Sequence, residues 1–205
     1  MILGITGGIA SGKSSVSRLL AAYTLAPLID LDACCRDLLD KGQAGWQALH
    51  TAFGARYELP DGAIDRPKLR EALFADADLR RRVDALLHPL ALERLRAELA
   101  RHAAAPLVLV EIPLLYEAGW DKYVDAVLVV HVRPALQFRR LLKRDGVGRR
   151  QARQALAAQM PLAEKAKRAD YVIENGGDWA ATRRAVIRLA EALFSGTGAD
   201  SAGRT

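Results

Sequence analysis

The chain is short of several things at once, and each shortage excludes a class of protein. No uninterrupted apolar run is long enough to cross a bilayer, so no helical membrane span is expected. No internal repeat and no low-complexity stretch is present, so neither a solenoid nor a biased linker organises the chain. Cys34 and Cys35 are the only cysteines among 205 residues, and they are adjacent. A disulfide between neighbours would close a very small ring, so no disulfide scaffold is expected. The simpler reading is two small helical side chains, one of them buried, in a reducing compartment. A signal peptide is not expected either, because Met1 leads straight into an apolar strand and a glycine turn; the expected location is the cytoplasm.

What is present is an ordinary globular composition with a basic balance. The 205 residues suffice for one domain with a sizeable core and a smaller inserted subdomain. The net charge is +6 and the pI about 9.6. Such a surface fits either nucleic acid or a highly phosphorylated small molecule. Arg139, Arg140, Lys143, Arg144, Arg149, Arg150 and Arg153 crowd one segment, with no aromatic residues interleaved as a single-strand platform would need. A cationic cover over phosphates is the better reading, with no nucleic-acid partner and no membrane partner expected.

The first fourteen residues carry the sharpest signal. A short apolar run, Ile2 to Ile5, ends in a turn that matches G-x-x-x-x-G-K-[ST] from Gly7 to Ser14. Val16, Leu19, Leu20 and Tyr23 then recur at helical spacing. Strand, glycine turn and helix in that order make a phosphate-binding loop. Glycine permits the backbone angles that turn successive N–H groups inward, and the following helix N-terminus favours negative charge. The loop residues Gly8, Ile9, Ala10, Ser11, Gly12, Lys13, Ser14 and Ser15 are therefore the expected nucleotide contacts. Lys13 would reach the β- and γ-phosphates, and the Ser14 hydroxyl would ligate Mg²⁺.

Further strands are expected at 25–31, 106–112, 126–132 and 169–174, with helical patterns between 33 and 103, at 136–143, at about 149–158, from Pro161 to near Arg168 and at 179–194. Asp65-Arg66-Pro67 reads as a capped helix start, and Leu92, Leu95 and Leu99 as one apolar stripe. Strands separated by helices predict an α/β fold: a parallel five-stranded sheet with helices on both faces in three layers. Ligands bind at the carboxyl ends of such strands, where the Gly7–Ser14 loop, Asp30, Asp32, Glu111 and Asn175 all fall.

Asp32 could orient an acceptor hydroxyl, take its proton or hold Mg²⁺ through water; it could equally cap the helix that follows. Glu111 ends an apolar strand where a carboxylate that holds magnesium indirectly is expected, or it makes a structural ion pair. His88 precedes Pro89, which disfavours helical geometry before it, so a bend or helix start is expected there, exposing the ring to substrate or serving as a cap. One or two of the clustered arginines could stabilise charge on a transferring phosphoryl group.

Six motifs in order carry a family resemblance: GITGGIASGKS at 4–14, IDLDACCR at 29–36, LLHPLALE at 86–93, VEIPLLYEAG at 110–119, RRLLKRDG at 139–146 and AAQMPLAEKAKRADYVIENGG at 157–177. Over about residues 2 to 195 the chain resembles the dephospho-CoA kinases, a family of P-loop NTPase fold. The resemblance implies ATP as donor with Mg²⁺, dephospho-CoA as acceptor, and a monomer or weak homo-oligomer. It implies a single domain at 1–196, with core segments about 1–32, 104–135 and 166–195. A helical acceptor-binding insert would span about 33–103, a helical lid about 136–165, and a flexible tail 197–205. Lys13, Asp32, Arg140 and Arg144 would be catalytic, and Asp32, Arg36, His88, Pro113, Leu114 and Leu115 would line the acceptor. Arg140 and Asn175 would approach the adenine, and Ser14 and Glu111 would serve the metal, the latter through water.

Three positions depart from the family pattern. Ala10 replaces a commoner glycine, Glu111 a commoner aspartate, and Ala155 an arginine that many relatives carry four residues before Gln159. Arg153 or another lid residue would stand in for that arginine, or the lid has one contact fewer. The nearest rival is another small-molecule kinase acting on a nucleoside or nucleotide. A GTPase is disfavoured by the lack of N/T-K-x-D and of D-x-x-G directly at the end of the third strand. A nucleic-acid-binding protein without enzymatic activity, motivated by charge alone, stands behind both.

Overall fold

The computed structural model describes residues 1–195, with the side chain of Phe74 excluded. The expected tail at 197–205 lies outside the described residues. The chain divides into two compact units: Met1–Ile29 together with the chain from Ala104 onward, and Asp30–Ala103.

The first unit is built on a five-stranded parallel sheet in the order β2-β3-β1-β4-β5. Its strands are β1 Ile2–Gly7, β2 Leu28–Asp30, β3 Val108–Glu111, β4 Ala126–His131 and β5 Tyr171–Glu174. The central β1 pairs Ile5 with Glu111 on one side and Gly7 with Val130 on the other. Period-two alternation divides the side chains between faces. Leu3, Ile5, Leu109, Leu128, Val130 and Ile173 pack with Val16 and Leu20 of α1 (Lys13–Thr24) and with Val186, Leu189, Ala190 and Leu193 of α9 (Trp179–Ser195). On the opposite face a Cβ at Gly4 would meet Leu115 and Val124 at 2.9 and 3.0 Å, so a side chain at that β1 position would have to displace them. The continuous apolar strands follow from burial on both faces.

Within this unit α6 (Pro134–Asp145), α7 (Arg149–Ala157) and α8 (Leu162–Arg168) follow β4. Gly146, at φ 63°, ends α6 in the left-handed conformation that its sequence position anticipates.

The second unit is helical: α2 (Leu31–Leu38), α3 (Ala44–Phe53), α4 (Arg66–Ala75) and α5 (Ala77–Arg101). It has its own core of Leu49, Tyr57, Ile64, Leu69, Leu79 and Val83. Asp65 caps α4 by accepting from the Lys68 amide at 3.1 Å, with Pro67 in the first turn.

Two local expectations are corrected. The second strand covers only Leu28–Asp30, because Leu25 closes α1 at φ 54° and Leu31 already begins α2. His88 sits at neither a bend nor a helix start: α5 runs through Pro89, with His88 exposed in mid-helix. A proline inside a helix removes its own N–H bond and crowds the preceding turn. Here buried Leu79 and Val83 before it, and Ala91 and Leu95 after it, hold both halves of α5.

Candidate active site

The Gly7–Ser14 turn connects β1 to α1, and its backbone angles explain its glycines. Gly12 caps α1 at φ 86°, in the region that side chains rarely enter. Ala10 adopts φ 59°, so the departure from glycine at this position is a backbone matter rather than one of bulk. The first turn of α1 contains no acidic residue and its cap makes no side-chain hydrogen bond. The helix itself thus adds no negative charge to its N-terminus, where its dipole favours an anion.

Glu111, at the end of β3, is the hub of this region. Its Oε1 accepts from the Lys13 ammonium and from Ser14 Oγ at 2.6 Å, and its Oε2 accepts from Ser17 Oγ at 2.5 Å. Lys13 and Glu111 are both largely buried, with side chains 11% and 8% exposed. Burial pushes the Glu111 carboxyl up, but the hydrogen bonds from Lys13, Ser14 and Ser17 outweigh it and hold the group below the ordinary carboxylate range. Glu111 thus couples a cation to the hydroxyl expected at the metal. The ion pair expected as one alternative for Glu111 is present, and the loop lysine itself makes it.

The loop is held from outside by side chains far away in sequence. Gln159 Oε1 accepts from the Ile9 amide at 2.8 Å, and Gln137 Nε2 donates to the Ile9 carbonyl at 2.9 Å. Asn175 Nδ2 donates to the Ser11 carbonyl at 2.8 Å, and its Oδ1 accepts from Thr182 Oγ1 at 3.0 Å. A Cβ at Gly8 would overlap Gln137, and one at Gly12 would overlap Asn175. Asn175 is buried, so the structure uses it as a strut beneath the loop. A guanidinium nitrogen of Arg140 lies 3.9 Å from the position of a Gly12 Cβ, which places this half-buried arginine beside the loop. Arg144 points elsewhere: its Nε and Nη2 bind the two Asp145 carboxylate oxygens at 2.6 and 3.0 Å on an exposed surface. That bidentate pair raises the Arg144 pKa still further.

A turn at 112–119 follows β3. Leu114 is 45% exposed and Pro113 half-buried, but Leu115 is fully buried against Gly4. Leu115 is therefore a core side chain and does not line a ligand surface, a correction that follows from its packing under β1. The turn is bonded to α8 through Lys165, whose ammonium donates to the Pro113 carbonyl at 3.1 Å and pairs with Glu117 Oε1 at 2.8 Å. Lys165 has no exposed side-chain surface. Burial pushes its pKa down, and the Glu117 carboxylate offsets part of that.

Asp32, Arg36 and His88 all lie in the helical unit and all are exposed. The helix cap that Asp32 might have supplied belongs to Asp30, which accepts from the Ala33 amide at 3.1 Å. Asp32 stands in the first turn of α2, and Arg36 approaches Asp30 at 3.9 Å. Cys34 and Cys35 are free thiols and neither is fully buried. Burial, with Asp32 the next cause, pushes Cys35 up to about 11, which argues against thiolate chemistry.

Sequence reasoning missed Ser17, Gln137, Lys165, Glu117 and Thr182. Ser17 was reachable, since it follows Ser14 by three residues and so shares its helix face. The others carry no local signal. Among the described residues no group of three or more His, Cys, Asp or Glu could hold a metal ion. The oxygens of Ser14 and Glu111 still suit a hard cation that keeps most of its waters and takes further ligands from phosphate.

Comparison with known proteins bears on the whole chain. The family model for dephospho-CoA kinase matches residues 1–181. A curated dephospho-CoA kinase from Anaeromyxobacter dehalogenans (strain 2CP-C) is 43% identical over 199 residues, covering 96% of this chain and 94% of the relative. Among solved structures, TT1252 from Thermus thermophilus is 34% identical with a TM-score of 0.81, covering 94% of this chain and 96% of its own. A dephospho-CoA kinase from Campylobacter jejuni shares the fold with a TM-score of 0.70 at 23% identity, covering 96% of this chain and 98% of its own.

Proposed function

The chain belongs to the dephospho-CoA kinase family, and we propose that it moves the γ-phosphoryl group of ATP onto the ribose 3′-hydroxyl of dephospho-coenzyme A, giving coenzyme A in the last step of its biosynthesis. The observation that carries this reading is the convergence of Lys13, Ser14 and Ser17 on Glu111 at the start of α1, in a chain matched by the family model from residue 1 to 181.

The loop amides and the α1 N-terminus bind the β-phosphate, and Lys13 leaves Glu111 for the β- and γ-oxygens. The Ser14 hydroxyl and, through water, Glu111 would hold Mg²⁺, which would supply neutralisation of phosphate charge. Arg140 lies beside the loop and offsets the negative charge on the transferring group's oxygens. Arg144 exchanges Asp145 for phosphate when the α6–α8 segment covers the nucleotide, which also excludes water as a competing acceptor. Asp32 orients the acceptor hydroxyl and takes its proton late, while Arg36, His88, Pro113 and Leu114 contact the acceptor. Because the phosphoryl transition state is loose, positioning and charge provide most of the acceleration.

Among the described residues no helix is long and apolar enough to cross a membrane. A cytoplasmic monomer or weak homo-oligomer completes the proposal.

The decisive assay is phosphate transfer from ATP to dephospho-CoA by the purified chain, with the product mass checked. Fast turnover with dephospho-CoA alone, among a panel of nucleosides and nucleotides, is the expected result. Preferred transfer to a nucleoside would overturn it. Asp32→Ala should lower kcat by about 100-fold or more while ATP affinity stays nearly unchanged. Near-normal turnover would remove Asp32 from the mechanism.

A further inference from the structure

Lys165 is the only lysine or arginine among the described residues whose side chain is fully buried. Its surroundings bring three segments together. The Pro113 carbonyl accepts both from Lys165 and from Thr6 Oγ1, each at 3.1 Å, and Thr6 immediately precedes the phosphate loop. Glu117 Oε1 accepts both from Lys165 at 2.8 Å and from the Met160 amide at 2.9 Å. Met160 follows Gln159, whose side chain holds the Ile9 amide. The segment 159–165 therefore grips the phosphate loop at one end and the 112–119 turn at the other.

An ion pair with one fully buried member, such as Lys165 with the partly exposed Glu117, is a weak source of stability. Its desolvation cost approaches its Coulombic gain, and an apolar pair of similar volume is often as stable. What such a pair does provide is fixed geometry at the atoms it bonds. The Lys165 ammonium has no exposed surface and is engaged by the Pro113 carbonyl and Glu117, so the turn is the route by which it acts on transfer.

We propose that Lys165 is a positioning residue for the reaction: it locks the Pro113 carbonyl and Glu117 so that the turn presents Pro113 and Leu114 to the acceptor in register with the phosphate loop. This inference rests on the reading above that the turn contacts the acceptor.

The test compares Lys165→Met with the double variant Lys165→Met/Glu117→Leu in the full chain. The single variant leaves the partly exposed Glu117 carboxylate without the buried cation that faces it and is expected to melt earlier. The double variant carries no unpaired charge and is expected to recover most of the wild-type melting temperature. Neither can donate to the Pro113 carbonyl. Both should therefore show a KM for dephospho-CoA raised about tenfold or more, with the KM for ATP within about threefold of wild type. A double variant with wild-type acceptor KM would reduce Lys165 to a stability element and overturn the proposal, as would a loss confined to ATP.

Hydrogen exchange supplies a readout that needs no substrate. The Ala118 and Trp120 amides bond the Leu114 and Leu115 carbonyls at 2.9 and 2.8 Å. They should exchange about tenfold faster in the double variant, and unchanged protection would overturn the proposal whatever the substrate is. Wild-type chain that fails to phosphorylate dephospho-CoA while this exchange difference stands would refute the functional reading and leave Lys165 as the organiser of the turn.

Discussion

Glu111→Gln tests the hub most directly. The substitution keeps shape and one acceptor oxygen but removes the charge that faces Lys13. In the folded protein three donors converge on this carboxylate, and both members of the ion pair are about nine-tenths buried, so solvent screens them little. Hydrogen bonds to a charged group contribute roughly 1.5–3 kcal/mol, and removing one partner of a buried pair costs about 3–5 kcal/mol. Because glutamine retains part of the network, a loss of about 2–4 kcal/mol is expected, or a fall of about 5–15 °C in melting temperature for a chain of this size.

The pH dependence supplies a second, independent check. The folded pKa of Glu111 is depressed, so its stabilisation is fully present above the unfolded carboxylate value and disappears as pH falls through the lower folded value. The gap between wild type and variant should therefore be constant from about pH 6 to 8 and close progressively below about pH 4.5. Thermal melts across that range, together with turnover at neutral pH, measure both. Equal melting temperatures at pH 7, or a gap that widens on acidification, would refute the account of Glu111.

Three further outcomes are expected. Gly12→Ala should abolish ATP binding by calorimetry, because the residue sits at φ 86° and the new methyl would overlap Asn175. Ala10→Gly should instead stabilise the chain by about 0.5–1 kcal/mol, since φ 59° is strained for alanine, with ATP affinity retained; a destabilised variant would count against it. Leu115→Ala should cost about 2–5 kcal/mol of stability, whereas Leu114→Ala, at a half-exposed position, should leave the melting temperature unchanged and raise only the acceptor KM. Reversed behaviour of the two leucines would show that the turn is packed differently.

Much of the fold was legible because its signals are local. The apolar runs, the glycine turn and the helical spacing of Val16, Leu19, Leu20 and Tyr23 each lie within a dozen residues of one another. Asp65 as a cap, Gly146 as a helix stop and α9 from Trp179 were readable for the same reason. The misreadings also have local causes. Pro89 looked like a break because proline disfavours helix around itself, a preference that packing on both sides of it overrode. Leu114 and Leu115 looked alike in sequence, and only their sides of the turn separate them.

The order of motifs, and with it the family and the phosphate-binding loop, was determined by the sequence alone, because each motif needs only neighbours along the chain. Tertiary structure decided what holds the loop. The Ile9 amide meets a side chain 150 residues away, and the Ser11 carbonyl one 164 residues away. Tertiary structure likewise decided that the buried Lys165 ammonium meets Glu117. Such pairings come from the sheet bringing strand ends together, and no periodicity in a single sequence encodes which distant polar group will arrive there to satisfy a given backbone atom.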